Sequence, residues 1–304
     1  MAPMVSRVGT ALGAFLSEAR LGVERVIADW GTRVRAEDPR IGPAIAYALE
    51  SPGKRLRPAL VMAAYRELGG PGDVAPLAAA VEVVHCYSLV HDDLPCMDDD
   101  DLRRGRPTTH RQFGVEVATE AGYRMISLAG RVLAAGAARL GLERGVVGAI
   151  AAELFGAAGA RGMIGGQMLD LEAEGRSLTR GDLERMHRAK TGALIAASAV
   201  LGALAAGAAP ERVAALRGYG EEIGLAFQIA DDLLDASGSS AELGKTAGKD
   251  ARQHKATFAT ALGPDAARAE AARRVARAVD RLRRARVDSL LLVDLAHFMV
   301  ERRS

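Results

Sequence analysis

The stretch FQIADDLLD, residues 227–235, points to an α-helical fold because it reads as an apolar helix that carries three aspartates. In a helix beginning near Gly224, Asp231 and Asp235 lie one turn apart on the same face, with Asp232 about 100° round. Gln228 lies one turn before Asp232 and can reach nearly the same face. Like charges four residues apart destabilise a helix. A solvated helix end could carry them, but the apolar neighbours favour aspartates that line a cavity.

The rest of the chain has the same helical character. Ala, Leu, Arg and Glu dominate, period-two runs of β-branched residues are missing, and the breaks carry Gly, Pro, Ser and Asp. None of these breaks is long enough to be an interdomain linker. We therefore predict an all-α fold of about ten or more helices in a single domain, residues 1–304. The Ala- and Arg-rich segment 265–286 has charges on most faces, which predicts a solvated outer helix.

Composition argues against several classes of function. With 49% hydrophobic and 26% charged residues, the chain can bury a core and is not disordered. A net charge of +2 and 4% aromatic residues give no general argument for binding nucleic acid. The uncharged stretch 191–210 is long enough to span a membrane, but it is mostly Ala and Gly. We therefore predict a buried core helix and no membrane span.

The cysteines and the first residues indicate a reducing compartment. Cys86 and Cys96 give no disulfide framework, and the opening sequence MAPMVSRVGT lacks the apolar core of a signal peptide. We predict a cytoplasmic protein. Cys86, His91 and Cys96 are too few for a soft-metal site, and the aspartates beside them favour a harder ion.

A second acidic stretch, DDLPCMD, occupies residues 92–98. Asp92 and Asp98 are six residues apart and cannot share one straight helical face. Pro95 predicts that a helix from about Leu77 ends near Leu94. The chain should then curl back and bring Asp98 beside Asp92.

Upstream of this turn, His85, Ser88 and Asp92 form a polar stripe at i, i+3 and i+7 on an otherwise apolar helix. This stripe predicts ligand contacts. The run Asp98–Asp101 could be only a solvated turn, and no individual role is predicted for Asp99–Asp101. Carboxylate oxygens are ligands that Mg²⁺ prefers, and Mg²⁺ usually shares its other positions with waters and substrate phosphates. Two such clusters on facing helices would hold a diphosphate between them.

The few lysines give an independent indication of phosphate binding. Of 40 basic residues only five are lysines, and Lys54, Lys190 and Lys245 stand beside Gly or Thr, where a compact charge can approach a phosphate. The alternative is that this placement of the lysines is an accident of composition. The lysines are Lys54, Lys190, Lys245, Lys249 and Lys255. Arg57, Arg103 and Arg104 add bidentate donors, and the absence of a Walker loop or strand-linked GxGxxG disfavours a nucleotide.

Several motifs together resemble one enzyme family, the short-chain trans-isoprenyl diphosphate synthases, similar to bacterial farnesyl and geranylgeranyl diphosphate synthases. The motifs are GKRLRP (53–58), HCYSLVHDDLPCMDDDDLRRGRPTTH (85–110), GGQMLDL (165–171), KTGALI (190–195), FQIADDLLD (227–235) and GKTAGKD (244–250). The resemblance implies an all-α bundle around a deep cavity, a homodimer and three Mg²⁺ ions. One departure is Pro52, where the family often has a second glycine.

The resemblance also implies roles for individual residues. The implied metal ligands are Asp92, Asp98 and Asp231, with Asp93, Asp232 and Asp235 in close support. The implied isopentenyl diphosphate pocket contains Lys54, Arg57, His85 and Arg104. The implied allylic diphosphate side contains Arg103, Lys190, Thr191, Gln228, Lys245 and Lys255. Of these, Arg103, Lys190, Thr191 and Lys245 are the expected catalytic residues.

The implied activity is the Mg²⁺-dependent condensation of isopentenyl diphosphate with dimethylallyl or geranyl diphosphate through an allylic carbocation. Tyr87 and Ser88 are the expected chain-length residues. The tyrosine resembles that of farnesyl synthases, so we predict a C15 product, with C20 as the alternative. A terpene cyclase or a non-catalytic synthase subunit would be expected to lose one of the two aspartate clusters, and this chain keeps both.

Overall fold

A computed structural model describes residues 4–173, 175–176, 178–237 and 257–301. The described chain is almost entirely helical, which confirms the predicted all-α class. The elements are α1 (Met4–Glu37), α2 (Gly42–Leu49), α3 (Leu56–Glu67), α4 (Ala75–Asp92), β1 (Leu102–Arg103), β2 (Arg106–Pro107), α5 (Thr109–Phe113), α6 (Val115–Arg139), α7 (Arg144–Ala158), α8 (Met163–Glu172), α9 (Arg180–His187), a π-helical turn (Arg188–Gly192), α10 (Ala193–Ala205), α11 (Pro210–Ser237), α12 (Phe258–Leu262), α13 (Pro264–Arg284) and α14 (Leu290–Val300).

Two largely apolar helices form the centre of the bundle. The side chains of α4 are buried from Ala75 to Val84, and those of α10 are buried on nearly every side. A helix segment that is apolar all round, such as the first half of α4 or most of α10, must be enclosed by other elements. Helix α4 packs along α6, and α10 packs between α3 and α11. The predicted core helix in the stretch 191–210 is confirmed.

Helix α13 differs from the sequence prediction. Its Glu270 and Arg274 are buried together with Val275, and this face packs along α11. Arg274 donates hydrogen bonds to Glu270, to Glu184 of α9 and to Glu222 of α11. The prediction of a solvated helix is wrong for this face, because arginine and glutamate can be buried when they are paired.

Two helical stretches are long and apolar enough to cross a membrane by length and composition, Arg144–Glu172 and Arg180–Ala205. The second is mostly buried, as the core helix α10 requires. The first is mostly not buried in the single chain.

Candidate active site

The first aspartate cluster forms at the end of α4. The helix ends at Asp92, and after Pro95 the chain returns so that the backbone N–H of Asp98 donates to the Asp92 carbonyl at 2.8 Å. The predicted turn is confirmed. Burial raises the pKa of the Asp92 carboxyl to about 7; Lys190 opposes this rise and Asp98 adds to it. The cluster therefore concentrates negative charge that a bound cation would relieve.

Asp93 is held by a protein partner instead. Its buried carboxylate accepts a hydrogen bond from Arg103 Nε at 2.9 Å and a second from Nη2 of the same guanidinium. Asp100 lies 3.6 Å from that guanidinium. Because Arg103 belongs to β1, this pair ties the short β1–β2 hairpin to the end of α4. The metal role implied for Asp93 stays a prediction.

A second, basic region lies beside the turn 51–55. Arg104, at the tip of the hairpin, donates from Nη1 to the Pro52 carbonyl at 2.7 Å. His85 is half-buried, and burial together with Arg57 and Arg104 holds the pKa of its imidazole well below the usual range. The structure thus brings a neutral histidine and two arginines of the expected isopentenyl diphosphate pocket together, with Lys54 exposed on the adjoining turn.

The π-helical turn between α9 and α10 carries Lys190 and Thr191. Lys190 Nζ lies 2.5 Å from Asp170 Oδ2 of α8, and Thr191 Oγ1 donates to Gln228 Oε1 of α11 at 2.9 Å. Gln228 Nε2 in turn donates to Asp232 Oδ1 at 3.0 Å. Single π turns inside α-helices are frequent at functional sites because they alter the register of the side chains. Here the turn presents one side chain toward the first aspartate cluster and the next toward the second.

Two glycines allow this close arrangement. A Cβ at Gly166 of α8 would collide with the backbone of Lys190, and one at Gly224 of α11 would lie 2.8 Å from Gly192 Cα. Both helices therefore touch the π turn through backbone contacts. Gly166 precedes Asp170 by one turn, and Gly224 precedes Gln228 by one turn, so each contact aims the following polar side chain at the π turn.

In the second cluster, Asp232 points away from Asp231 and Asp235, as the helical periodicity predicts. Its carboxylate is buried and accepts a hydrogen bond from the backbone N–H of Phe258 at 2.8 Å. His187 Nε2 lies 3.9 Å from the same oxygen, Oδ2. Asp232 thus holds the start of α12, and its implied metal role stays a prediction. Asp231 and Asp235 are half-buried one turn apart on α11.

The two expected chain-length residues lie on different sides of α4. The buried Tyr87 ring meets the His91 ring edge-on at 6.1 Å, and His91 meets Tyr123 of α6 at 5.1 Å. Burial raises the pKa of the Tyr87 hydroxyl to about 12. Ser88 is half-buried, and its Oγ donates to the His85 carbonyl at 2.9 Å. Tyr87 therefore faces α6, and Ser88 stays on the polar stripe.

The donor chemistry fits magnesium better than a softer metal. Within residues 4–237 and 257–301, where described, no three Asp, Glu, His or Cys side chains converge as a metal-binding group. Mg²⁺ does not require such a cage, since it is usually held by one or two carboxylates together with phosphate oxygens and waters. The pairs Asp92 with Asp98 and Asp231 with Asp235 meet that requirement. Lys245 and Lys255 lie outside the described residues.

Asp170 is the site residue that the sequence reasoning missed. The GGQMLDL stretch contains it, four residues after Gly166 and 20 before Lys190 in the chain. The rarity of lysine singled out Lys190, but nothing in the local pattern paired it with this aspartate.

Acidic and basic regions gathered around α4 on an all-α scaffold are the arrangement that a class of phosphate-ester-binding enzymes would need, and comparison with known proteins identifies that class. The profile of the polyprenyl synthetase family matches residues 38–290. A farnesyl diphosphate synthase from Geobacillus stearothermophilus is 39% identical over 293 residues, covering 95% of this chain and 97% of that one. The chain belongs to the polyprenyl synthetase family and is a prenyltransferase.

Two further similarities bear on the details. A chloroplastic geranylgeranyl pyrophosphate synthase 7 from Arabidopsis thaliana is 47% identical over 233 residues, which cover 75% of this chain and 66% of that one. A crystal structure of geranyltransferase from Helicobacter pylori, complexed with magnesium and isoprenyl diphosphate, has a TM-score of 0.78 and 29% identity. It covers 94% of this chain and 96% of its own.

Proposed function

We propose that this prenyltransferase joins isopentenyl diphosphate head-to-tail to dimethylallyl or geranyl diphosphate and releases farnesyl diphosphate. The observation that carries the proposal is the pairing of two distinct regions beside α4. One is the basic region with His85, Arg57 and Arg104, and the other is the acidic region with Asp92, Asp98 and Lys190. Two regions of this kind suit two diphosphates that must be bound at once.

The acidic region would hold the allylic diphosphate. Asp92, Asp98 and Asp231 are the proposed ligands of Mg²⁺, and the magnesium in the H. pylori geranyltransferase supports the choice of ion. When bound, Mg²⁺ supplies positive charge to the leaving diphosphate. Three ions are expected, a number that rests on the resemblance alone.

The reaction requires no protein nucleophile. The allylic C–O bond breaks and diphosphate departs with the electron pair, leaving a delocalised carbocation. The double bond of isopentenyl diphosphate forms the new C–C bond, and a proton passes to the departed diphosphate. Asp170 holds Lys190, and Gln228 holds Thr191. The lysine charge and the threonine hydroxyl dipole are thereby oriented near the carbocation.

Replacing one aspartate of each cluster tests the proposal. Asp92→Ala and Asp231→Ala should each lower turnover by a factor on the order of 10²–10³ or more while the fold survives, because each removes stabilisation of charge that develops in the transition state. Steady-state rates with labelled isopentenyl diphosphate measure this, and circular dichroism checks the fold. Retained Mg²⁺-dependent activity in either variant would contradict the assignment.

The product length separates the main proposal from its alternative. The G. stearothermophilus relative and Tyr87 support C15, and the Arabidopsis relative supports C20. Chromatography of the products made from labelled isopentenyl diphosphate decides between them. A cyclised product would instead indicate a terpene cyclase, and binding without turnover a non-catalytic subunit.

A homodimer in the cytoplasm completes the proposal. Exposed Tyr123, Ile164 and Met168 lie on α6 and α8, and the apolar stretch Arg144–Glu172 is mostly unburied in one chain. A second copy covering this face would remove apolar surface from water. Both cysteines are free, which suits a reducing compartment. Light scattering that gives a monomer mass would contradict the dimer.

A further inference from the structure

The turn that carries Lys54 contains a buried arginine in an unusual conformation. Arg55 has φ 49° and ψ 36°, in the left-handed region, and its side chain is only 2% exposed. A non-glycine residue persists in such a conformation when its surroundings determine it strongly. The surroundings of Arg55 therefore hold the backbone of the turn.

Three acceptors on different elements surround the Arg55 guanidinium. Nη1 donates to Glu82 Oε1 of α4 at 2.6 Å, and Nη2 donates to the carbonyls of Leu49 at 3.1 Å and Ser51 at 2.7 Å. One planar group thus joins the end of α2, the turn and the middle of α4. A lysine could not match this, since its ammonium lacks the fork geometry.

The position of Glu82 connects this pair to the site. Glu82 lies three residues before His85 on α4, so the two side chains are neighbours on the helix. Arg55 lies between Lys54 and Arg57 in the chain, and its inward direction leaves Lys54 exposed and Arg57 half-buried. One buried ion pair thus joins the basic turn to the helix that carries His85.

We propose that Arg55 and Glu82 form a positioning pair that sets the geometry of the isopentenyl diphosphate pocket without touching the substrate. The inference rests on the proposed function. A fully buried ion pair is often no more stabilising than an apolar pair of similar volume. A role in stability alone therefore does not explain the pair, whereas positioning the turn against α4 does.

The double variant Arg55→Met/Glu82→Met tests this role. It removes both charges and fills a similar volume, so the fold is retained. We expect the KM for isopentenyl diphosphate to rise about 10–100-fold, because a displacement of about 1 Å in a binding group has effects of this size. The KM for geranyl diphosphate and kcat at saturation should stay within about twofold, because the acidic region is left intact.

The matched control is a buried ion pair far from the turn. Arg274→Met/Glu222→Met removes the 3.3 Å contact between α13 and α11, together with the hydrogen bonds from Arg274 to Glu270 and Glu184, and should leave the KM for isopentenyl diphosphate unchanged. The single variant Arg55→Met strands the Glu82 charge and should be less stable than the double variant. If adding Glu82→Met restores both the melting temperature and the KM, the pair is only structural and the inference is overturned.

The outcomes also separate this inference from the proposed function. Unmodified enzyme that condenses the two substrates, with an unchanged isopentenyl diphosphate KM in the double variant, overturns the positioning role alone. Unmodified enzyme that shows no condensation overturns the proposed function, and this inference with it.

Discussion

The contact between Gly166 and the π turn gives the sharpest test of the site. In Gly166→Ala the added methyl would lie 2.7 Å from the Ala189 carbonyl carbon and closer still to the Lys190 backbone. Carbon atoms in favourable contact are about 3.5–4.0 Å apart. Helix α8 and the π turn must therefore separate by about 1 Å, and the obstruction is backbone that cannot rotate away.

Two effects of different size should follow. Overpacking of this kind typically lowers the free energy of unfolding by about 1–3 kcal/mol. Displacement of catalytic groups by about 1 Å can lower the rate by about 10²-fold. We expect the variant to fold, with kcat/KM reduced by about two orders of magnitude because Lys190 and Thr191 move away from the reacting atoms. Urea unfolding and steady-state kinetics measure the two effects separately.

Gly136→Ala is the matched control. Its methyl would lie 2.5 Å from the Leu77 nitrogen, where α6 crosses the first turn of α4. The destabilisation should be similar, but the 15 residues of helix between Leu77 and Asp92 place the clash about 22 Å from the aspartates. Equal losses of activity in the two variants, or full activity in Gly166→Ala, would refute the reasoning.

Three further predictions follow from the site and the fold. His85→Ala and Arg57→Ala should mainly raise the KM for isopentenyl diphosphate, whereas Lys245→Ala should mainly raise the KM for the allylic substrate. Equal effects on both substrates would contradict the division of the pocket. Tyr87→Ala should lengthen the product, as seen by chromatography, and a C20 product from the unmodified enzyme would show that Tyr87 sets no limit. Burial alone would raise the pKa of Glu270, but hydrogen bonds from Arg273 and Arg274 lower it from 4.5 to about 2. The stabilising contribution of Glu270 is therefore complete above about pH 4.5 and is lost as the pH falls toward 2. In Glu270→Gln, the free energy of unfolding measured in acid titrations should depend less on pH across that range.

Local rules predicted the features that depend on a few consecutive residues. The spacing of Asp231 and Asp235 predicts a shared face, and Pro95 predicts the turn that returns Asp98 to Asp92. Both are confirmed because helix periodicity and proline stereochemistry act within one element. Helical periodicity also predicts that Asp232 points away from the face shared by Asp231 and Asp235.

Contacts between distant elements could not be predicted in this way. Helical periodicity does not show that Asp232 meets Phe258, 26 residues later, or that Lys190 meets Asp170. The burial of Glu270 and Arg274 was mispredicted because charge implies exposure unless the partners are known. The single-domain extent, the metal ligands and the roles of Lys245 and Lys255 stay predictions.

The π turn makes the site sensitive to the length of one helix. A π turn is in effect one extra residue inserted into an α-helix, and each residue of an α-helix turns the chain by about 100°. The wider π turn absorbs that rotation, so deleting Ala189 would leave a regular helix with α9 and α10 near their present orientation. Inside the turn, Lys190 and Thr191 would lose the spacing that directs one side chain to Asp170 and the other to Gln228. The length of this segment is therefore as much a part of the site as the side chains that it carries.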